Sequence, residues 1–225
     1  MAVTQAESRT ARRAAREKRP RRGVGRRIAA GAAGIVLAAA AVYVQQNFSM
    51  SFEQRTSYLT YKGRLGETVE TKRFAVKVLS VAAAHAVDTT DYSNKVTKVA
   101  TGNLFLLVDV SATSTREPMR LSESSPPLLL TADGRRYSPT DKVNAALTLF
   151  NKYIQPGFWS SGLLVFEVPK DAVPGAGLVF IPPNNAFVND AYAPEAQIDL
   201  GLSGTAADRL VSQAEDYHSL VSVSR

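Results

Sequence analysis

The stretch Asn103–Ser114, NLFLLVDVSATS, constrains the fold more than any other part of the chain. Successive side chains of an extended strand point to opposite sides. Leu104, Leu106, Val108 and Val110 therefore share one face, and Phe105, Leu107, Asp109 and Ser111 share the other. A strand with that pattern is central, buried throughout on one side and partly on the other.

The same two-residue period recurs along the chain. In TVETKRFAVKVLSV, Phe74, Val76 and Val78 fall together with Lys77 opposite. The segment from His85 to Thr101, which contains DTTDYSN, reads as a polar loop. Between Pro126 and Pro139 the pattern is a hairpin, with Leu128–Leu130 and Arg135–Tyr137 as arms and Asp133-Gly134 as the turn. Asn144–Phe150 reads as a short helical insertion. A Pro156-Gly157 turn precedes a strand with Leu164, Phe166 and Val168 on one face. Gly175–Pro183 and Ala196–Leu202 add two more strands. Short strands separated by turns, without strand–helix alternation, predict an all-β antiparallel sandwich. At the end of the chain, Thr205 with Asp208 resembles a helix start, and Leu210, Val211, Ala214, Tyr217 and Val221 lie along one helical stripe. Such a helix either packs on the sandwich or docks a partner.

The net charge of +7 is unevenly placed. Residues 1–27 carry ten Lys/Arg against Glu7 and Glu17, and the rest of the chain is close to neutral. The body therefore lacks the basic face that nucleic-acid binding needs. Behind the basic leader, Ile28–Val44 contains no charge. As a helix it spans about 26 Å, slightly less than a hydrocarbon core of about 30 Å. Tyr43 suits the far interface, and arginines crowd only the near side. This predicts a single-pass transmembrane helix with its N-terminus in the cytoplasm and the body outside, so the membrane itself is a partner through residues 28–44. Basic residues on the cytoplasmic side also suit anionic lipid head groups. The stretch is rich in Ala, and Ala38–Ala41 offers the small residues a signal peptidase reads. A cleaved signal, with a secreted product cut near Ala41, is the rival reading. A third is a nucleic-acid arm before a soluble helix, but residues 28–44 have no polar face. Small residues recur every four positions at Ala30, Gly34 and Ala38 and at Ala29 and Ala33, a spacing that permits weak self-association in lipid. Asn47-Phe48-Ser49 fits a glycosylation acceptor triplet.

Four segments in order, LGETVETKRFAVKVLSV, GNLFLLVDVSATSTREP, LLLTADGRRYSP and QPGFWSSGLLVFEVPKDA, resemble a family of exported bacterial domains of unknown function. That family is related to the immunoprotective extracellular antigen of mycobacteria. The likeness rests on Gly66-Glu67 before a strand, the long strand ending in a Thr/Ser-rich corner, and Asp133-Gly134 followed by Tyr137. Pro156-Gly157 ahead of a strand ending in Val168-Pro169 completes it, and the whole covers about Gly63 to Pro182. The resemblance implies an immunoglobulin-like sandwich and offers no active site to carry over. Many members look like lipoproteins; this chain has no cysteine and would use a helix in that role. The expected organisation is a basic cytoplasmic leader (1–27), a transmembrane helix or signal core (28–44), a stalk (45–62) whose part up to Tyr61 also reads as a first edge segment, an immunoglobulin-like β-sandwich (63–203) and a C-terminal helix or tail (204–225).

Catalytic signals are weak. The lack of cysteine excludes disulfides, thiol catalysis and Cys-ligated zinc. His85 and His218 lie far apart in sequence and not at metal-ligand spacing. Neither a nucleophile elbow nor a phosphate-cradling glycine loop occurs. Asp88 and Asp91 are two carboxylates in one segment, too few oxygens for a defined calcium site. No cofactor or metal is expected. Phe158-Trp159, after the Pro-Gly turn, read either as exposed binding anchors or as lids on the core. The long segment PPNNAFVNDAYAP contributes Phe187 and Tyr192 as further candidates. The first functional expectation is a non-enzymatic, membrane-anchored extracytoplasmic module for protein–protein interaction or assembly in the cell envelope, its envelope partner unidentified. The alternatives are a small-ligand or lipid-binding domain, with its ligand between the sheets or under residues 182–194, and a hydrolase with an atypical site.

Overall fold

The computed structural model describes Gly34 and residues 37–43, 58–91, 93–123, 125–183 and 192–221. The chain divides into two compact units, Met1–Ser51 and Phe52–Arg225. In the first, residues 37–43 are helical and exposed. Among the described residues, no helix is long and apolar enough to cross a membrane. The basic leader, most of the 28–44 stretch, the Asn47 triplet and residues 45–57 of the expected stalk lie outside the described residues.

The second unit is a sandwich of two sheets. Its strands are β1 (Leu59–Arg64), β2 (Thr68–Glu70), β3 (Phe74–Thr90), β4 (Val96–Ser114), β5 (Leu128–Leu130), β6 (Arg136–Tyr137), β7 (Ser160–Val168), β8 (Gly177–Phe180) and β9 (Pro194–Asp199). One sheet runs β1-β9-β8-β5-β6 and the other β2-β3-β4-β7. All pairs between these strands are antiparallel except β1–β9, where Leu59 faces Pro194 and Arg64 faces Asp199 in parallel register. The antiparallel expectation is corrected at that pair: the first strand lies beside the last. β1 takes Leu59 to Lys62 out of the expected stalk and makes them an edge strand, the second of the two readings of that segment.

β4 sits in the middle of its sheet and is buried on both faces. Leu104, Leu106, Val108 and Val110 enter the core between the sheets with Phe74, Val76, Val78, Leu164, Phe166 and Val168. Phe105 and Leu107 enter a smaller cluster on the outer face, with Val87, Val143, Val165 and Leu220. The segment after β6 supplies Val143 and folds into two 3-10 turns, Ala145–Leu147 and Leu149–Asn151, where a short helical insertion was expected. Side-chain oxygens of Asn144 and Thr148 cap these turns.

The polar loop expected from His85 to Thr101 is instead mostly strand. β3 runs on to Thr90 and β4 begins at Val96. Asp91 makes the turn, its carboxylate accepting from the backbone N–H of Ser93 and Lys95, while Asn94 takes a φ of 59°. Two register shifts, between Val78 and Ser80 and between Ala84 and Ala86, let the long hairpin bend.

The tail is also corrected. Helix α1 covers only Thr205–Ser212, with Gly204 rather than Thr205 at its N-cap and no side-chain cap. Ala207 is buried in the core, and Leu210, Val211 and Ala214 pack against it. Beyond Gln213 the chain leaves the helix and makes two isolated parallel bridges to β3, Glu215 with Ala84 and His218 with Val87. The His85 N–H donates to the Glu215 carbonyl at 2.8 Å, Glu215 N–H to Ala83 at 2.8 Å, and His218 N–H to Ala86 at 2.9 Å. Tyr217 and Val221, placed by periodicity on a helical stripe, thus belong to an edge segment.

Candidate functional site: an aromatic end of the sandwich

The topology defines two ends. At the leading end, β1 and β9 begin, β8 finishes, β3 and β7 begin and β4 finishes; Phe74 meets Phe180 across the sheets with ring centroids 5.3 Å apart. At the trailing end lie the β1–β2 turn with Leu65, the β5–β6 turn and the 3-10 turn Lys170–Ala172. The described residues of the connections 71–73, 115–127, 152–159 and 181–193 therefore lie at the leading end, where β1 also begins.

The segment 152–159 is braced there. Ile154 is fully buried, and it exchanges backbone hydrogen bonds of 2.9 and 2.8 Å with Met119. Gln155-Pro156-Gly157-Phe158 makes a turn closed by Phe158 N–H on the Gln155 carbonyl at 3.3 Å. Gly157 holds a φ of 76° there, a conformation that costs any other L-residue a Cβ clash. The Thr113 hydroxyl donates to the Gln155 carbonyl at 3.1 Å, and the Ser160 hydroxyl to the Tyr153 carbonyl at 2.9 Å.

This frame displays its rings rather than burying them. Phe158 is 70% exposed and Trp159 50% exposed. Of the two readings open for this pair, the lid on the core is corrected: both rings stand exposed. Tyr153, which the sequence reading missed, is 62% exposed. Its signal was available: it precedes buried Ile154, and alternation puts it outside. The Arg120 guanidinium carbon lies 5.7 Å from the centre of the Tyr153 ring, and its Nε donates to the Phe150 carbonyl at 2.8 Å. Tyr192, partly exposed and with a φ of 60°, stands two residues before β9 and so at the same end. Tyr58 and Leu59, where the chain enters, are exposed there too. Phe187 lies outside the described residues.

Asp88 does different work from that considered for it. It is nearly fully buried, and its carboxylate accepts from the Tyr217 hydroxyl at 2.9 Å, the Ser219 hydroxyl at 2.8 Å, and the backbone N–H groups of Leu220 and Val221. Burial alone would raise its pKa, but the bonds from Ser219, Leu220, Tyr217 and Val221 outweigh it and hold the carboxyl below its ordinary range. These oxygens clasp the tail. Asp91 is spent on its own turn, and the described residues hold no group of three or more His, Asp or Glu placed for a metal ion. The two histidines come to the same edge through the tail: His218 Nδ1 lies 2.7 Å from Glu215 Oε2, and Glu215 pairs with the backbone of β3.

A cleft of about 860 Å³ opens on the outer side of the β2-β3-β4-β7 sheet, walled by Thr89, Thr97, Ser138, Thr140, Lys142 and Asn144 among others. Lys142 pairs with Glu167 at 2.7 Å, and with Thr101 it holds the Glu167 carboxyl below its ordinary range. Between the sheets the large core side chains are essentially inaccessible, so the ligand position considered there is filled.

Architecture and surface define the chain as a two-sheet β-sandwich with a closed core and a displayed aromatic end. It belongs to the family described as a domain of unknown function, DUF4352, whose model matches residues 63–188. Among curated proteins none matches significantly. Among solved structures, it is similar to the yjhA protein of Bacillus subtilis (15% identity, 61% of this chain and 99% of that one, TM-score 0.44). It is also similar to the secreted protein MPT63 of Mycobacterium tuberculosis (17% identity, 64% and 99%, TM-score 0.43). A third is an uncharacterised β-sandwich protein of Clostridium difficile (10% identity, 64% and 95%, TM-score 0.39).

Proposed function

We propose that this chain is a non-enzymatic, membrane-tethered, extracytoplasmic binding module with an immunoglobulin-like sandwich. Residues 28–44 are its anchor, and the aromatic end, with Phe158, Trp159 and Tyr192 and with Phe187 in the adjoining segment, is where it engages the envelope. The observation that carries the reading is the braced display of Tyr153, Phe158 and Trp159 in water. Large exposed rings on a rigid loop are uncommon unless something covers them. The strand orders support the immunoglobulin-like reading: β9-β8-β5-β6 corresponds to a G-F-C-C′ sheet, and β3-β4-β7 to the sheet that faces it. The one-sided charge of residues 1–27 supports the orientation.

Alkaline extraction of membranes from cells making the full chain tests the anchor. Nearly all of the protein is expected to stay in the pellet, and a variant lacking residues 28–44 is expected in the supernatant. A mature N-terminus near Val42 would replace the anchored form by a secreted one.

The cleft of about 860 Å³ supports a second reading, a module for a small polar ligand held by hydroxyl and amide groups. Thr140→Leu would fill that cleft at its wall. It is expected to leave the melting temperature within a degree or two, by the usual size of surface effects. It would abolish any melting-temperature rise that such a ligand confers.

A further inference from the structure

The aromatic end carries more than exposed rings. Six of the exposed large apolar side chains of the described sandwich stand there: Tyr58, Leu59, Tyr153, Phe158, Trp159 and Tyr192. The chain also enters the fold at this end, since β1 starts at Leu59 and the Leu59 N–H bonds the Ala193 carbonyl at 2.9 Å. We infer that this end lies against the lipid–water interface of the membrane that residues 28–44 enter, with Tyr153, Phe158 and Trp159 seated among the head groups. The inference rests on the anchor proposed above.

Three features single out lipid as the occupant. The first is ring chemistry: Trp and Tyr have an apolar body and a polar tip, which favours the interface over either bulk phase, and Phe158 between them adds the apolar wedge. The second is charge: Lys72, Arg73, Arg116 and Arg120 are exposed at this end against Glu70, Glu117 and Glu123 in the described residues 70–73 and 115–127, a small positive excess that suits anionic head groups. The third is reach: thirteen residues separate Val44 from Tyr58, at most about 45 Å of chain, and the described fold begins with Tyr58 at the aromatic end. A tether there holds the rings near the bilayer at high effective concentration, so weak contacts suffice. A protein partner on the same surface would share it with the tether. The trailing end, where Leu65 stands, then points away from the membrane.

Trp159 is the only tryptophan of the chain, so its fluorescence reports this surface alone. The full chain is reconstituted into vesicles of phosphatidylcholine and phosphatidylglycerol, with and without bromine on the upper acyl carbons. The expected result is co-flotation with the vesicles and a loss of Trp159 emission of about twofold or more in brominated lipid, as for an interfacial ring. A reporter moved to the trailing end, Trp159→Phe with Leu65→Trp, is expected to float equally and to lose almost nothing. Flotation with Trp159 no more quenched than the Leu65→Trp reporter overturns the inference and leaves the anchor standing; a protein partner is then what covers the rings. Failure of the full chain to float overturns the anchor, and the lipid contact with it.

Discussion

Phe74→Ala is expected to cost about 3–5 kcal/mol of stability, the range for a buried phenylalanine truncated in a core that cannot close. Phe74 is fully buried at the start of β3. Its ring meets that of Phe180, on the opposite sheet, at 5.3 Å and a tilt of 52°. Truncation removes the transfer free energy of the ring and leaves a void between two sheets whose spacing other pairs maintain. Collapse is resisted because β3 is held at Ala75 and Val76 by both β2 and β4. In a domain of this size each kcal/mol corresponds to about 2–4 °C, so a fall of about 10 °C in melting temperature is expected. The same measurement on Phe158→Ala gives the contrast. That ring is 70% exposed, and its loss should stay within about 0.5 kcal/mol. Equal costs for the two variants would mean that Phe158 is a core residue, and the aromatic end would no longer be a surface at all.

The sequence carried the core far better than the edges, for a physical reason. Alternation along β4 predicted both of its buried faces, because a central strand writes its two environments into adjacent residues. The turns at Gly134 and Gly157 were legible because each needs a positive φ that glycine supplies without strain. What failed were contacts between distant parts of the chain. The distal half of β3 looked like a loop because Asp88 and Thr89 are polar; they are buried all the same, Asp88 by a tail about 130 residues further on. The segment holding β1 stayed open between a stalk and a first edge segment, because what decides it is the distant β9, with Thr60 bonding Glu195 at 2.7 Å across the register. The stripe through Tyr217 and Val221 fits a helix until the edge of β3 offers the backbone a better set of partners. Exposure of Phe158 and Trp159 could not be read from residue type, which favours burial; only the bracing of the loop by Ile154, Thr113 and Ser160 decides it.

That edge leads to the second large effect. Asp88→Ala is expected to cost about 3 kcal/mol, since it strips a buried carboxylate from four donors and leaves the Leu220 and Val221 N–H groups without it. Asp88→Asn keeps one acceptor oxygen and should cost less. The damage should be local at first. The Glu215 and His218 ladder to β3 loosens, while α1 stays docked through Ala207. Amide exchange at residues 214–221 is therefore expected to rise well before exchange in β4. Acid should act in the same direction. The folded-state pKa of Asp88 is lowered, so the carboxylate stabilises the fold above its unfolded value, near 4. That stability is lost as the pH falls below 4 and through the folded value. The wild-type tail should thus begin to exchange faster below about pH 4, whereas Asp88→Ala, having no carboxyl to protonate there, should show no such onset. If the tail of the variant exchanged as slowly as that of the wild type at neutral pH, the ladder alone would hold it and the clasp would be incidental. If it exchanges faster, Leu220 leaves the outer cluster with the tail, and Val87 and Phe105 lose their cover.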